Sequence, residues 1–464
     1  MLILLMLVNH MDMIMNRNMF LLFVLLLNFF VFSSSANALP AFARQTGYSC
    51  SACHVQSFGP NLTSVGRNFK LYGYTQTDGK NNNLIPLSGM IRGSFTHTQQ
   101  NQPDGAAERF GKNDNATIDE AAIFLAGRLT SKIGAFVEGT YDGVENIGVL
   151  DNTEIRYADH FNVANQKVVF GLTTNNNPTV TDLWNTTPTW GFPWSSSPLA
   201  PTQAAATLIE SLGSQVIGAT AYMMLNDFLY VEVGGYTSLP KNAQKGISVF
   251  DPEQARLNGG APYWRIALQK DWSGHYGAIG TFGMHGDVNP QRITGVGTDR
   301  YDDFGFDLTY QYLANPVHIY EFTATYLREN RNMNASAALG FADKVKSNLD
   351  TVRLRAGYTY QQTYGLNLFY NQTSGTADSF IYGFGDPISG SRTGNPNSEA
   401  FTAEASYTPF GKSNASVMST FVNLRLAVQY IHHFKFNGNV HNYDGFGRNA
   451  VNNDTFYFNA WMAF

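Results

Sequence analysis

The stretch Tyr301-Asp302-Asp303-Phe304-Gly305-Phe306-Asp307-Leu308-Thr309-Tyr310-Gln311-Tyr312 decides the fold. In an extended chain successive side chains point to opposite faces. Phe304, Phe306, Leu308, Tyr310 and Tyr312 therefore share one face, and Gly305, Asp307, Thr309 and Gln311 share the other. The same period returns further on, where Val352, Leu354, Ala356, Tyr358 and Tyr360 oppose Arg353, Arg355, Gly357 and Thr359. A β-sandwich turns its apolar face toward a packed interior. Arginine on a lipid face costs roughly 2–4 kcal/mol at mid-bilayer, so a transmembrane barrel turns its charged face to a wet lumen. The pattern predicts the barrel.

Working outward, the alternation divides the chain from Ser88 onward into sixteen strands. They fall near 88–98, 117–129, 132–142, 151–160, 165–173, 213–224, 227–237, 261–271, 275–285, 301–313, 316–328, 347–360, 364–373, 398–409, 420–433 and 454–464. Thr130-Ser131, Asn226, Ser273-Gly274 and Asn315-Pro316 mark tight turns, whereas 174–212, 238–260, 286–300, 329–346, 374–397 and 434–453 are long connections. An even strand count with short turns on one side and long loops on the other describes an all-β, antiparallel outer-membrane barrel. The last strand alternates Phe456, Phe458, Ala460, Met462 and Phe464 with Tyr457, Asn459 and Trp461. Left open, such an aromatic edge invites aggregation, so it is expected to close on the first strand. The short turns and the N-terminus are assigned to the periplasm and the long loops to the exterior.

Composition agrees. Among 464 residues only 14% are charged, against roughly 25% in ordinary soluble domains, while 34 Phe, 24 Tyr and 6 Trp bring aromatics to 14%. With a net charge of −5 and no basic block, nothing offers a polyanion a surface, which excludes nucleic acid as a partner. No phosphate loop, nucleophile elbow or zinc-hydrolase pattern occurs.

Met19–Phe32 is a short apolar run after Arg17 and before Ser33-Ser34-Ser35-Ala36-Asn37-Ala38. These are the parts of a secretory signal peptide, assigned to residues 1–38. The two cysteines then fall together in Cys50-Ser51-Ala52-Cys53-His54. C-x-x-C-H is the attachment motif of a c-type haem. Its two thiols form thioethers and its histidine becomes an axial ligand. A zinc half-site lacks a second cysteine pair, and a redox dithiol lacks its βαβ surroundings. Residues 39–85 are thus read as a monohaem cytochrome c module and 86–464 as the barrel. The module carries Arg44, Arg67, Lys70 and Lys80 against Asp78 alone, while the remainder is acidic, so charge favours their docking. Under 50 residues, the module is near the size at which a core cannot stand alone, and it is expected to need both the haem and the rest of the chain.

The run Phe42-Ala43-Arg44-Gln45-Thr46-Gly47-Tyr48-Ser49-Cys50-Ser51-Ala52-Cys53-His54, with Gly66-Arg67-Asn68-Phe69-Lys70-Leu71-Tyr72-Gly73-Tyr74, resembles the N-terminal module of the fused outer-membrane monohaem cytochrome–porins of iron-oxidising bacteria. The loop stretch Asn177–Pro188 resembles barrel loops of the same group. The resemblance implies one covalent haem c on a sixteen-stranded barrel. It also implies an electron taken from extracellular Fe(II), or another external reductant, and passed to a periplasmic cytochrome c. The activity would be that of an iron:cytochrome c electron-transfer protein in the outer membrane.

His54 is the proximal iron ligand by motif. Ser88, Met90, Arg92, Ser94 and Thr96 share a polar, lumen-facing side of the first strand, which puts Met90 at the periplasmic end as a distal ligand. Its thioether would raise the reduction potential. His160, His275 and His318 also lie beside periplasmic turns and compete. Glu120, Glu138, Asp307 and Glu321 offer lumen oxygen ligands of the kind that suits Fe(II). The loop 174–212, with Trp184, Trp190, Trp194 and five prolines, is too long for a plain connection. It either folds into the lumen or caps it. The pattern leaves open whether the haem module plugs the lumen or hangs below it. Two other functions remain: a diffusion porin for small solutes with a haem plug or sensor, and a haem enzyme acting on a small oxidant.

Overall fold

The computed structural model describes residues 41–79, 86–383, 388–412 and 422–464. The signal peptide expected at 1–38 lies outside these residues, and the expected module boundary at 85 and 86 falls at their edge. All described residues belong to one compact unit, Leu39–Phe464.

Sixteen long antiparallel strands form one closed sheet. In order they are β1 (Leu87–Thr98), β2 (Asn115–Arg128), β3 (Ile133–Asp142), β4 (Ile147–Val163), β5 (Gln166–Asn175), β6 (Val216–Leu225), β7 (Leu229–Ser238) and β8 (Ala261–Trp272). The second half comprises β9 (His275–Asn289), β10 (Asp299–Tyr312), β11 (His318–Asn332), β12 (Lys346–Tyr360), β13 (Tyr364–Gly375), β14 (Ser398–Tyr407), β15 (Asn423–Lys435) and β16 (Thr455–Ala463). The two-residue segment Arg256–Leu257 adds a short ribbon beside β9. β1 pairs with β16 from Met90↔Ala463 to Thr98↔Thr455, so the expected closure is present and no edge is left.

The strands cross with the faces the sequence assigns. Phe306 is 50% exposed on the outside of β10, whereas its neighbours Asp307 and Gln311 are buried in the lumen. Arg355 and Thr359 of β12 likewise point inward. At the short-turn end an aromatic girdle encircles part of the barrel, with Tyr312–Tyr320, Tyr320–Tyr358 and Tyr364–Tyr407 ring centroids 6.2, 5.1 and 5.2 Å apart. Amphipathic rings of this kind settle at a membrane–water interface.

Some connections depart from expectation. β4 and β9 run beyond the predicted 151–160 and 275–285, as the ribbons continue past the apolar band. The outer connection between β3 and β4 is only residues 143–146.

The long connection between β5 and β6 folds into the lumen. Asp182 pairs with Arg265 of β8, Thr186 donates to Asp307 of β10 (3.0 Å), and Ser197 and Thr96 of β1 hydroxyls are 2.6 Å apart. Leu208 N donates to Glu329 of β11 at 2.5 Å.

Residues 41–79 fill the lumen below this loop. Three short helices, α1 (Ala41–Thr46), α2 (Cys50–Cys53) and α3 (Ser64–Leu71), make the plug. α3 starts at Thr63, whose side chain caps Gly66 N. A Cβ on Gly66 would meet Cys53 O at 2.4 Å, so only glycine lets α3 lie this close to α2. The plug is bonded to inward-facing wall residues. Asn61 donates to Glu321 (2.5 and 2.6 Å), Arg67 to Gln311 (2.9 Å), Tyr74 to Glu154 (2.7 Å) and Asn423 to Ser57 O (2.6 Å). Gln311, Glu321 and Asn423 lie at the short-turn ends of their strands and Glu154 lies midway along β4, so the plug extends from the short-turn end to the middle of the lumen.

Candidate functional site

Plug, loop and wall together line a partly open cavity of about 510 Å³, within the range of small-ligand and cofactor sites. Cys50, Cys53, His54 and Met90 all line it. The thiols belong to one turn, α2, whose last residue is followed by His54; His54 N donates to Cys50 O at 2.8 Å. Burial raises the Cys50 thiol and pushes that of Cys53 up to about 11, with the neighbouring Cys50 adding to the shift. Burial likewise pushes the His54 imidazole down to about 4. It is neutral at ordinary pH, the form that ligates metal.

These residues fit a covalent haem. His54 lines the cavity with the backbone of Gly59 as a hydrogen-bonding neighbour, and a metal-ligating histidine gives its other ring N–H to just such a backbone group. Neither cysteine is in a disulfide. The walls are aromatic, from Phe58 and Phe69 on the plug to Phe136 on β3 and Trp190 on the loop.

Met90 sits on β1 as expected, buried, its sulfur accepting from Trp461 Nε1 at 3.1 Å. The competing histidines do not reach the cavity. His275 bonds the Tyr310 hydroxyl (2.9 Å) and His318 that of Tyr358 (2.8 Å), both on the outer girdle, and His160 packs edge-on against Tyr72 at the rim.

The four acidic candidates separate. Glu120 and Glu138 line the cavity. Asp307 is consumed by Arg265 (2.8 Å), and Glu321 by Arg355 (2.9 Å) and Asn61. Among the described residues no group of three or more His, Cys, Asp or Glu side chains is placed to hold a metal ion. The four carboxylates thus do not form one Fe(II) site.

Asp151 and Trp461 also line the cavity without having been singled out in the sequence. Register shifts opposite Gly93 and between Val137 and Gly139 turn consecutive residues inward, which a strict period of two hides. Trp461, in contrast, lies on the lumen face that alternation gives to Tyr457 and Asn459.

A closed, even-stranded barrel with an apolar outer band, a charged interior and an interfacial girdle is a porin-like transmembrane barrel of the bacterial outer membrane, in contact with its lipid. No protein-family model and no curated protein sequence matches the chain. Among solved structures it is similar to the outer membrane channel DcaP of Acinetobacter baumannii, at 10% identity and TM-score 0.45, over 82% of this chain and 96% of that one. It is also similar to an anion-selective porin from Comamonas acidovorans, at 11% identity and TM-score 0.43, over 81% and 98%. A loop L8 deletion mutant of OmpT, an outer membrane protein of Vibrio cholerae, matches at 9% identity and TM-score 0.40, over 82% and 97%.

Proposed function

We propose that this protein carries electrons across the outer membrane, from an extracellular reductant to a periplasmic cytochrome c, with Fe(II) the reductant suggested by the sequence resemblance. Cys50 and Cys53 would hold one haem c through thioethers, and His54 and Met90 would bind its iron. Bound there, the group supplies a one-electron redox centre. The observation that carries this reading is the meeting of those four residues, one of them from the barrel, in a single aromatic cavity.

The chain's own residues account for the rest. The cavity lies in the periplasmic half of the lumen, within reach of a periplasmic partner. Above it the inward loop and its ion pairs separate it from the exterior, so the oxidised metal product stays outside. A diffusion path for solutes needs an open lumen, and both the plug and the loop occupy it.

The test is to mix purified, oxidised protein with Fe(II) near neutral pH and follow the haem absorption bands. Reduction within minutes is expected. A protein with haem that Fe(II) leaves oxidised would remove iron as donor. A mature chain carrying no haem would remove the electron-transfer reading altogether.

A further inference from the structure

Trp461 makes three contacts that meet at the site. Its Nε1–H donates to Met90 Sδ at 3.1 Å. Phe58 of the plug packs edge-on against its ring, centroids 5.0 Å apart. Arg92 of β1 lies over the same ring at 5.5 Å and is its register partner across the β1–β16 seam. One indole, carried by the strand that closes the barrel, therefore touches both the plug that carries His54 and the strand that carries Met90.

The thioether of methionine is flexible, with several rotatable bonds and weak directional preference. In a cavity of this size it has more than one place to go. An N–H donor on one sulfur lone pair fixes the side chain and leaves the other lone pair available. The donor also withdraws electron density from sulfur, which weakens it as a ligand to the oxidised metal and so raises the potential.

We propose that Trp461 is a positioning residue that holds the Met90 sulfur in the cavity with His54, so that the sixth iron ligand is delivered by the closed barrel seam. This rests on the reading of Met90 as the distal ligand, and the test separates the two. Full-length protein is prepared with Met90→Ala, Trp461→Phe or Phe58→Leu, and barrel formation is checked by the gel mobility of unheated samples. The readouts are the methionine-to-iron charge-transfer band and the reduction potential of the haem.

Met90→Ala is expected to abolish the band. Trp461→Phe, which keeps a ring against Phe58 but removes the N–H, is expected to lose most of the band and to shift the potential downward. Phe58→Leu, which keeps the indole but removes its wedge, is expected to weaken the band less. If Met90→Ala abolishes the band while folded Trp461→Phe keeps both band and potential, the role of Trp461 is overturned and Met90 stands. If Met90→Ala keeps the band, Met90 is not the ligand and both readings fall. Should Trp461→Phe not form a barrel, Phe58→Leu decides: an unchanged band and potential there overturn the proposal.

Discussion

Asp182 of the inward loop and Arg265 of β8 lie 3.1 Å apart, both fully buried, and the same Arg265 pairs with Asp307 of β10 at 2.8 Å. Asp182 also accepts the amides of Trp184, Thr186 and Thr187. A single carboxylate thus shapes the loop and ties it to the wall. Removing one partner of a buried ion pair costs about 3–5 kcal/mol. Asp182→Asn is expected to unseat the loop and raise the conductance of the protein in planar bilayers. Conductance equal to that of the parent protein would mean that other contacts seat the loop.

The plug has its own anchor in Tyr74, whose hydroxyl donates to Glu154 at 2.7 Å, while Arg156 pairs with the other carboxylate oxygen at 2.6 Å. Tyr74→Phe leaves a buried acceptor short of one partner, at a cost of about 1–3 kcal/mol. Protease should cut the plug segment faster, and the thermal transition of the folded barrel should move down by several degrees. Unaltered cleavage would count against Tyr74 as an anchor.

Much of this barrel was legible in the sequence because lipid enforces its pattern on every strand. Phe306 and Asp307 had to face opposite ways, so strand number, faces and closure all followed from alternation. The placement of loop and plug was not legible. Asp182 meets Arg265, and Asn61 meets Glu321, across separations that no local period encodes. For the site, the Cys50–His54 motif and the lumen face of Met90 could be read directly. The place of Asp151 in the cavity wall could not, since a bulge turns it inward.

Lys70 gives the plug a pH dependence. Its ammonium donates to Asp182 O at 2.5 Å and Asn185 Oδ1 at 3.0 Å, but burial, only partly offset by Glu154 and Asp182, pushes its pKa from 10.5 down to about 7. Between pH 7 and 10.5 the unfolded chain binds a proton here that the folded chain does not. Stability therefore rises with pH across this window, by at most about 1.4 kcal/mol per unit, and this contribution is flat below it. Thermal unfolding in detergent from pH 6 upward should show the rise, and Lys70→Met should flatten it. An identical slope in the variant would assign the dependence to other groups.

Covalent attachment is read directly by mass. The mature parent chain should be heavier than its polypeptide by one haem, and the Cys50→Ala, Cys53→Ala double variant should match the bare polypeptide. Cys53→Ala alone should show a lower yield of joined product. A parent chain of bare polypeptide mass would end the assignment of Cys50 and Cys53.

Because Cys50 is buried beneath Gly411, with its Cβ within 3.1 Å of where a side chain at that position would begin, the order of events in making this protein is constrained. Enzymes that join a porphyrin to thiols need a pliant, accessible segment, and the finished cylinder offers none at that sulfur. On the haem reading proposed above, attachment at Cys50 would have to come before insertion: the assembly machinery would receive a chain already loaded, and the wall would be zipped shut around its cargo.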